Sequence, residues 1–459
     1  MLNIMQGILA TLMFVAPDWV RNTVTHERPP NVFWADYVVW PVLQILIVLF
    51  IVLTLVAYLV YLERKVSAFM QARLGPMRVG PWGLLQPAAD GLKLLLKEDI
   101  IPLKADRVVF ALAPIISVVS ALVVLAVIPW GAAWATIANI NIGLLFILAV
   151  SSVGVLGLVL AGWASNSKYS LLGALRSSAQ MVSYEIGLGL SIIGALMFAR
   201  TLSMSGIVEA QQADHIWYVF FQPLGFLVYV ISALGETNRA PFDLPEAESE
   251  LVAGYHTEYS GFRWALFFMA EYSAMIVTAA IAVTLFLGGW MLPGVTGTSF
   301  FGWFGPIQNP TLHTIASVVV FGLKIMLLIY AYMWFRWTWP RYRYDQLMEL
   351  GWKWMIPAGL ANIVLTGIWY VLAMPPSRGG VFNLMREVGG RLVPTGKGAL
   401  YFFVTGTAIT VPLVWLLLAN INRRSRDFNL HDQRQLQINL RRERLEKALQ
   451  PQAADNGAQ

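Results

Sequence analysis

The chain has 459 residues, of which 57% are hydrophobic and 13% are charged, and its mean hydropathy is +0.62. Soluble proteins of this length do not have such a composition, which is typical of a polytopic helical membrane protein. The absence of cysteine excludes disulfides, thiolate-ligated iron–sulfur clusters and Cys–Zn sites, and we expect no metal site. There is also no glycine-rich nucleotide fingerprint in a βαβ context. If the chain serves electron transfer, the redox centres belong to a partner.

The first 37 residues form an N-terminal extension. Ile4–Val15 is apolar but shorter than the about 20 residues that a membrane span needs. No basic leader precedes it, so a signal peptide is not expected. We predict an interfacial or short membrane-dipping helix within residues 1–37.

Nine apolar segments follow that are long enough to cross a membrane. In chain order they are residues 38–62, two spans within 108–167 separated near 129–141, and then 179–199, 216–235, 264–292, 312–335, 354–374 and 398–421. We therefore predict an all-α polytopic membrane protein with about nine transmembrane helices.

Lys and Arg are distributed unequally between the two sides of these spans. The loops after the first, third, fifth and seventh spans, together with the C-terminal tail, contain 24 of the 32 Lys and Arg residues, and the other side contains 7. The positive-inside rule then predicts an external N-terminus and a cytoplasmic C-terminus. The long cytoplasmic loops would be residues 63–107, 236–263 and 336–353.

The second of these loops is unusually acidic. It begins the stretch GETNRAPFDLPEAESELVAGYHTEYSGFRWALFFMAEYS at residues 235–273. Between Glu236 and Glu258, one cation, Arg239, stands among six carboxylates: Glu236, Asp243, Glu246, Glu248, Glu250 and Glu258. Carboxylates crowded at a membrane boundary repel one another, so some should hold protons near neutral pH and titrate as a coupled set. Alternatively, Asp243 and Glu246 only cap a helix that has Pro245 in its first turn, which leaves the other acids unexplained.

Two further acids, Glu185 and Glu271, lie inside apolar spans. An ionisable side chain there costs about 2.5–3.5 kcal/mol on insertion scales and usually marks an ion or proton pathway. With no cation adjacent in sequence, burial should favour their neutral form. The alternative is a structural acid bonded to the neighbouring Tyr184 or Tyr272. Lys324, in the middle of the seventh span, is expected to pair with one of these acids or to snorkel.

Four segments, in this order, resemble one family. They are ERK at the end of the first span, RLGPMRVGPWGLLQPAADGLKLLLKED in the loop after it, the acidic stretch, and FRWTWPRYRYDQLMELGWKWMIP at the end of the seventh span. Together they resemble the quinone-site membrane subunit of respiratory complex I, the proton-pumping NADH:quinone oxidoreductase (the H subunit in bacteria, subunit 1 of the mitochondrial enzyme). The resemblance covers an eight-helix body at residues 38–374. An external segment with a ninth span, 375–421, and a basic cytoplasmic tail, 422–459, lie outside it.

This resemblance implies an enzyme subunit that has quinone as its substrate and no covalently bound cofactor. It also implies that NADH, FMN and the iron–sulfur clusters are held by partner subunits. The implied partners are peripheral iron–sulfur and quinone-site subunits, antiporter-like and small membrane-arm subunits, and membrane lipid, with no nucleic acid. The implied location is the bacterial cell inner membrane.

The resemblance also assigns roles to individual residues. The acidic path that couples quinone reduction to proton translocation would contain Glu185, Glu236, Asp243, Glu246, Glu248, Glu250 and Glu271. The quinone cavity would be formed with Glu63, Arg64, Arg73, Asp90, Arg239, Arg336 and Arg341. Arg336 and Arg341 fit a plain positive-inside role equally well. Two other functions remain open, a membrane subunit of a related hydrogenase complex and a free-standing proton-coupled secondary transporter.

Overall fold

The computed structural model of the chain describes residues 34–132, 135–214, 216–243, 252–291, 310–375, 381–388, 391–394, 398 and 400–416. The chain divides into two compact units, residues 1–402 and 403–459. All of the contacts below lie in the first unit. In the second, the described residues 403–416 are helical.

Eleven helices are present in the described residues. They are α1 (Trp34–Met70), α2 (Gln86–Leu96), α3 (Arg107–Val124), α4 (Gly143–Ala164), α5 (Lys168–Ala199), α6 (Met204–Asp214), α7 (Pro223–Glu236), α8 (Gly261–Phe286), α9 (Pro310–Thr338), α10 (Tyr344–Ala373) and α11 (Leu400–Leu416). Seven of these, α1, α3, α4, α5, α8, α9 and α10, are long and apolar enough to cross a membrane, and α7 and α11 are shorter apolar helices.

The helical membrane architecture agrees with the sequence prediction, but the all-α prediction misses one element. Two short antiparallel strands, β1 (Met385–Val388) and β2 (Arg391–Pro394), form a hairpin after α10. The short helix α6 was also not predicted from the sequence. The predicted helix in residues 1–37 and the tail from residue 422 lie outside the described residues, except for the start of α1.

Local sequence explains where some helices begin or change. Asp106 caps α3, because its carboxylate accepts hydrogen bonds from the backbone N–H groups of Val108 (3.1 Å) and Val109 (3.2 Å). In α10, Pro357 has no backbone N–H, so the regular hydrogen-bond ladder is interrupted there. The preceding residues Leu350–Met355 form a wider π-type turn.

Helix α8 lies at the centre of the bundle. It packs against α1, α3, α6, α7 and α9, and every residue from Met275 to Phe286 is buried. Small residues allow the other helices to pack closely around it. A Cβ atom on Gly157 of α4 would lie 2.2 Å from the Ser117 hydroxyl of α3. A Cβ on Gly235 of α7 would lie 2.5 Å from the ring of Tyr184 on α5.

Candidate functional site

The site is organised by residues 237–243, the part of the acidic loop that directly follows α7. Helix α5 holds this segment, because the Gln180 amide donates to the carbonyl oxygens of Gly235 and Phe242, each at 2.8 Å. On the other side, the Phe242 ring stacks on Tyr342, with 5.6 Å between the centroids. The loop is therefore fixed between two elements, and its polar side chains are carried into the bundle.

Arg239 is one of the side chains that enter the bundle, and it is 4% exposed. Its Nη1 atom donates to both carboxylate oxygens of Glu63 on α1, at 3.2 and 3.1 Å. Its Nε atom lies 2.6 Å from Oε1 of Glu271 on α8. The guanidinium also lies over the Tyr272 ring, 4.1 Å from its centroid. One cation thus joins carboxylates from two helices that are far apart in sequence.

Glu63 has two more partners. The Tyr272 hydroxyl donates to its Oε2 atom at 2.5 Å, and Arg336 at the end of α9 forms an ion pair with its Oε1 atom. We call Glu63, Arg239, Glu271, Tyr272 and Arg336 the Arg239 cluster. It contains two carboxylates and two guanidinium groups, so its formal charge is balanced, as buried ions require.

The electrostatic environment of Arg239 keeps it charged. Burial alone would lower its pKa, but the carboxylates of Glu271 and Glu63 outweigh burial and hold the pKa well above its ordinary value. The nearby loop residue His256 behaves differently, because burial lowers its pKa from 6.5 to about 4. His256 is therefore neutral at physiological pH.

A cavity of about 100 Å³ adjoins the Arg239 cluster. It lies between α3, α4, α5, α7 and α8, and its polar lining residues are Ser117, Ser120, Ser151, Glu236, Thr237, Asn238, Glu271 and Thr278. The volume of this cavity is large enough for several water molecules, and most of its wall is apolar. Glu271 thus touches Arg239 on one side and the cavity on the other.

Glu236, the last residue of α7, lies in the cavity wall. Glu185 of α5 lies close enough to Glu236 for their charges to interact. Among the described residues, neither carboxylate has an ion-pair partner. The acids at this site are therefore of two kinds. Glu63 and Glu271 are paired with arginine, whereas Glu236 and Glu185 interact with each other and have no cation partner among the described residues.

This geometry can be set beside known proteins. A model of the NADH dehydrogenase family matches residues 43–367. An H subunit of NADH-quinone oxidoreductase from Solibacter usitatus is 47% identical over 376 residues, which cover 72% of this chain and 95% of that protein. The chain belongs to this family. Two further H subunits of NADH-quinone oxidoreductase, from Geobacter metallireducens and Rhodospirillum rubrum, are each 50% identical to this chain. The matches cover 96% of each of these relatives, and 72% and 73% of this chain, respectively.

The family body carries the predicted site residues, and the structure brings only some of them together. Glu63, Arg239, Glu271 and Arg336 meet in the Arg239 cluster, and Glu236 shares the cavity with Glu271. Asp243 lies in the same loop as Arg239 and forms an ion pair with Arg341, with 2.8 Å between the two side chains. One oxygen of this buried carboxylate, Oδ1, has no hydrogen-bond partner among the described residues.

Three predicted residues, Arg64 in the last turns of α1, Arg73 just after it and Asp90 in α2, have local contacts. Arg64 forms an ion pair with Asp90 of α2 at 2.8 Å, and both side chains are solvent-accessible. Arg73 donates to the side chain of Gln71 at 2.6 Å. Among the described residues, none of the three forms an ion pair with the Arg239 cluster.

Glu271 has no cation adjacent in sequence, but Arg239 reaches it from the loop. Two expectations about the embedded charges are wrong. Tyr272 bonds Glu63 rather than its sequence neighbour, and Tyr184 donates to the Leu347 carbonyl at 3.0 Å. Lys324 forms no ion pair with an acid among the described residues. It donates to backbone carbonyls at the end of α8.

Three of the predicted acids, Glu246, Glu248 and Glu250, lie outside the described residues, as does the Pro245 turn proposed as a helix start. The structure also adds residues that the sequence analysis missed, namely Ser117, Ser120, Asn238 and Thr278 in the cavity wall. The signal for two of them was present in the sequence, because Ser117 and Ser120 lie about one helical turn apart in an otherwise apolar span.

Proposed function

We propose that the chain is the H subunit of a proton-pumping NADH:quinone oxidoreductase. In this role it forms part of the quinone-binding cavity and the acidic path that couples quinone reduction to proton translocation. The observation that carries the proposal is the contact between the Arg239 cluster and the cavity lined by acids and hydroxyls. A buried cation that holds one carboxylate facing such a cavity can exchange partners when a new negative charge arrives.

The proposed reaction begins with quinone, two electrons and two protons, which together give quinol. The electrons come from iron–sulfur clusters of a partner subunit, where FMN and NADH also bind. Until both protons arrive, the reduced quinone carries negative charge. This charge attracts the nearest fixed cations, which in this chain are Arg239 and Arg336 of the Arg239 cluster.

Glu271 responds because its only ion-pair partner among the described residues is Arg239. When the guanidinium turns toward reduced quinone, the Glu271 carboxylate loses its counter-charge in a buried site. A buried carboxylate without a cation favours the protonated form. Glu271 therefore takes a proton, and it releases the proton again when quinol is complete and Arg239 returns.

The cavity gives this proton a route onward. Glu271 and Glu236 both line it, and the hydroxyls of Ser117, Ser120 and Thr278 provide hydrogen-bonding groups for water between them. Glu185 is the next acid, because it lies within electrostatic range of Glu236. A proton that reaches Glu236 raises the tendency of Glu185 to ionise, since the repulsion between the two carboxylates is removed.

The proposed topology, location and partners are based on the distribution of Lys and Arg along the chain and on its family. The chain would cross a bacterial inner membrane nine times, with its acidic loop and C-terminus in the cytoplasm. The cytoplasmic loops, including Arg64, Arg73, Asp90 and Arg341, would face peripheral iron–sulfur and quinone-site subunits. The membrane helices would face antiporter-like and small membrane-arm subunits. Glu246, Glu248 and Glu250 would extend the acidic path.

A transporter that works alone and a subunit of a hydrogenase complex are less favoured. Relatives that match over 95–96% of their own length are named as subunits of NADH-quinone oxidoreductase. Purification in mild detergent separates these functions, since the proposal expects iron–sulfur and antiporter-like subunits to co-migrate with the chain. Isolation of the chain alone as a homo-oligomer would contradict it.

The cavity step is tested with Glu236→Gln, which keeps the shape and hydrogen bonding of the side chain but cannot release a proton. We expect the enzyme to assemble and to lose most of its NADH:quinone reductase activity and proton pumping. Glu209→Gln in α6 is the matched control, because Glu209 is an exposed acid outside the cavity. Normal pumping by assembled Glu236→Gln enzyme would remove Glu236 from the path.

A further inference from the structure

Lys324, in the middle of α9, has an unusual set of partners. Its Nζ atom donates to the carbonyl oxygens of Leu287 at 2.7 Å and Gly289 at 2.8 Å, and also to that of Met291. The ammonium lies 4.5 Å from the centroid of the Trp217 ring. All three carbonyls belong to the chain that leaves the end of α8, so this lysine closes one end of the central helix.

The geometry requires the charged form of this side chain. Three carbonyl acceptors need three N–H donors, and an ammonium has three whereas a neutral amine has two. The carbonyls at a helix C-terminus carry partial negative charge, and an aromatic face attracts a cation as well. No carboxylate among the described residues forms an ion pair with Lys324, so its charge is not cancelled by an acid.

The turn that presents the carbonyls is built from two glycines. Gly288 and Gly289 have φ angles of +70° and +55°, which side chains disfavour. A Cβ atom on Gly288 would lie 2.6 Å from the Trp217 ring, and one on Gly289 would lie 2.7 Å from the Val208 side chain. The carbonyls that surround Lys324 are therefore held in place by close packing.

A buried, largely apolar segment of α8 separates Lys324 from the cavity. The last residue of α8 in the cavity wall is Thr278, and Ala279–Phe286 are all buried. At 1.5 Å per residue this segment spans about 12 Å. Its one hydroxyl, that of Thr284, donates to the Ala280 carbonyl at 2.8 Å and is satisfied inside the helix. Along the central helix, the half that lines the cavity is thus followed by a buried half and then by a cation.

We propose that Lys324 is an electrostatic barrier that closes the end of the subunit opposite the acidic loop against protons. The inference rests on the proposed function, since a barrier matters only if the cavity carries protons. A proton entering from that end would meet a fixed ammonium and then a buried segment whose one hydroxyl is already hydrogen-bonded within the helix. Fixed positive charge at a narrow point is a known means of excluding protons. Protons that reach Glu236 and Glu271 then come only from the other side.

The test uses the intact enzyme complex in proteoliposomes. A pH gradient is imposed without NADH, and its decay is followed with a trapped dye for wild type, Lys324→Met and Lys324→Arg. We expect the gradient to decay several-fold faster with Lys324→Met and at the wild-type rate with Lys324→Arg, which keeps the charge. NADH:quinone reductase activity of Lys324→Met should stay near wild type, while the gradient built during turnover should be smaller.

Arg200→Gln is the matched control, because it removes another cation at the same end of the bundle, where Arg200 donates to the Tyr370 hydroxyl. It should not leak. Three results would overturn the barrier: a wild-type decay rate in Lys324→Met, equal leakage in Lys324→Arg, or assembly of Lys324→Arg while Lys324→Met and Lys324→Gln both fail to assemble. The last two would assign Lys324 to helix capping alone. Because decay is measured without turnover, failure here is distinct from failure of the proposed quinone reaction.

Discussion

At the residue scale, Arg239 is a single positive charge shared by two buried carboxylates on different helices. Removing one partner from a buried ion pair costs about 3–5 kcal/mol, because the remaining charge stays buried. Arg239→Gln should therefore strongly reduce the amount of assembled enzyme, measured on native gels. The double variant Arg239→Gln/Glu271→Gln should recover part of the loss, since one of the two stranded charges is gone. Equal amounts of enzyme in the single and double variants would contradict the pairing.

Tyr272 contributes a hydroxyl and a ring to the same cluster. Tyr272→Phe removes the hydrogen bond to Glu63 but keeps the ring under Arg239. Hydrogen bonds to charged groups contribute about 1.5–3 kcal/mol, so the melting temperature of the assembled enzyme should fall. Tyr272→Leu should lower it further, because the cation–π contact is lost as well. An unchanged melting temperature in Tyr272→Phe would show that the hydroxyl contributes nothing.

His256 makes stability depend on pH in a defined window. Its pKa is about 4 in the folded chain and near 6.5 when unfolded, so the unfolded state binds the extra proton between these values. The contribution of neutral His256 to the free energy of unfolding should therefore be fully present above pH 6.5. The free energy of unfolding should decrease by up to about 3 kcal/mol as the pH falls toward 4. Melting temperatures of wild type and His256→Gln across this range test the effect. The variant should show a shallower decline, and parallel curves would refute the assignment.

The residues of the cluster could be chosen from the sequence, but their partners could not. Glu271 stands out as an acid in an apolar span, and Arg239 stands out as the one cation between Glu236 and Glu258. Their contact depends on where a loop 32 residues away in sequence folds back, which no local pattern encodes. The partners of Lys324 could not be predicted for a similar reason. They are backbone carbonyls, which every residue has, so the sequence does not single them out.

At the element scale, the walls of the cavity depend on the close approach of α3 and α4. A Cβ atom on Gly157 would lie 2.2 Å from the Ser117 hydroxyl and 3.0 Å from the Ala113 carbonyl. Gly157→Ala should therefore force the helices apart and lower stability by about 1–3 kcal/mol. Gly189→Ala in α5 is the control, because no atom lies within 4 Å of its Cβ position. Equal melting temperatures for the two variants would contradict this packing.

Hydropathy predicted the long helices well and the short elements poorly. The spans around α3, α4, α8 and α9 were found because about 20 apolar residues have few alternatives to a membrane helix. The helix α6 and the β1–β2 hairpin are short and polar, so their residues carry no such constraint. The predicted fifth span, residues 216–235, contains only the 14-residue helix α7, preceded by the turn Tyr218–Phe220.

At the scale of the whole molecule, the number of crossings and the orientation rest on charge distribution, and labelling tests them. The natural chain has no cysteine, so single cysteines report their side without background. Ser205→Cys should react with a membrane-impermeant reagent from outside the cell, and Ser425→Cys only in inverted vesicles. Labelling of Ser425→Cys from the outside would refute the ninth crossing.

Coupling in the proposed function depends on one step, in which Glu271 takes a proton when reduced quinone draws Arg239 away. Infrared difference spectroscopy of the intact enzyme, between the oxidised and the reduced quinone states, observes this step directly through the C=O stretch of a protonated carboxyl group. We expect this band to appear on reduction in wild type and in Glu209→Gln, and its intensity to fall in Glu271→Gln. An unchanged band in Glu271→Gln would show that Glu271 does not take this proton.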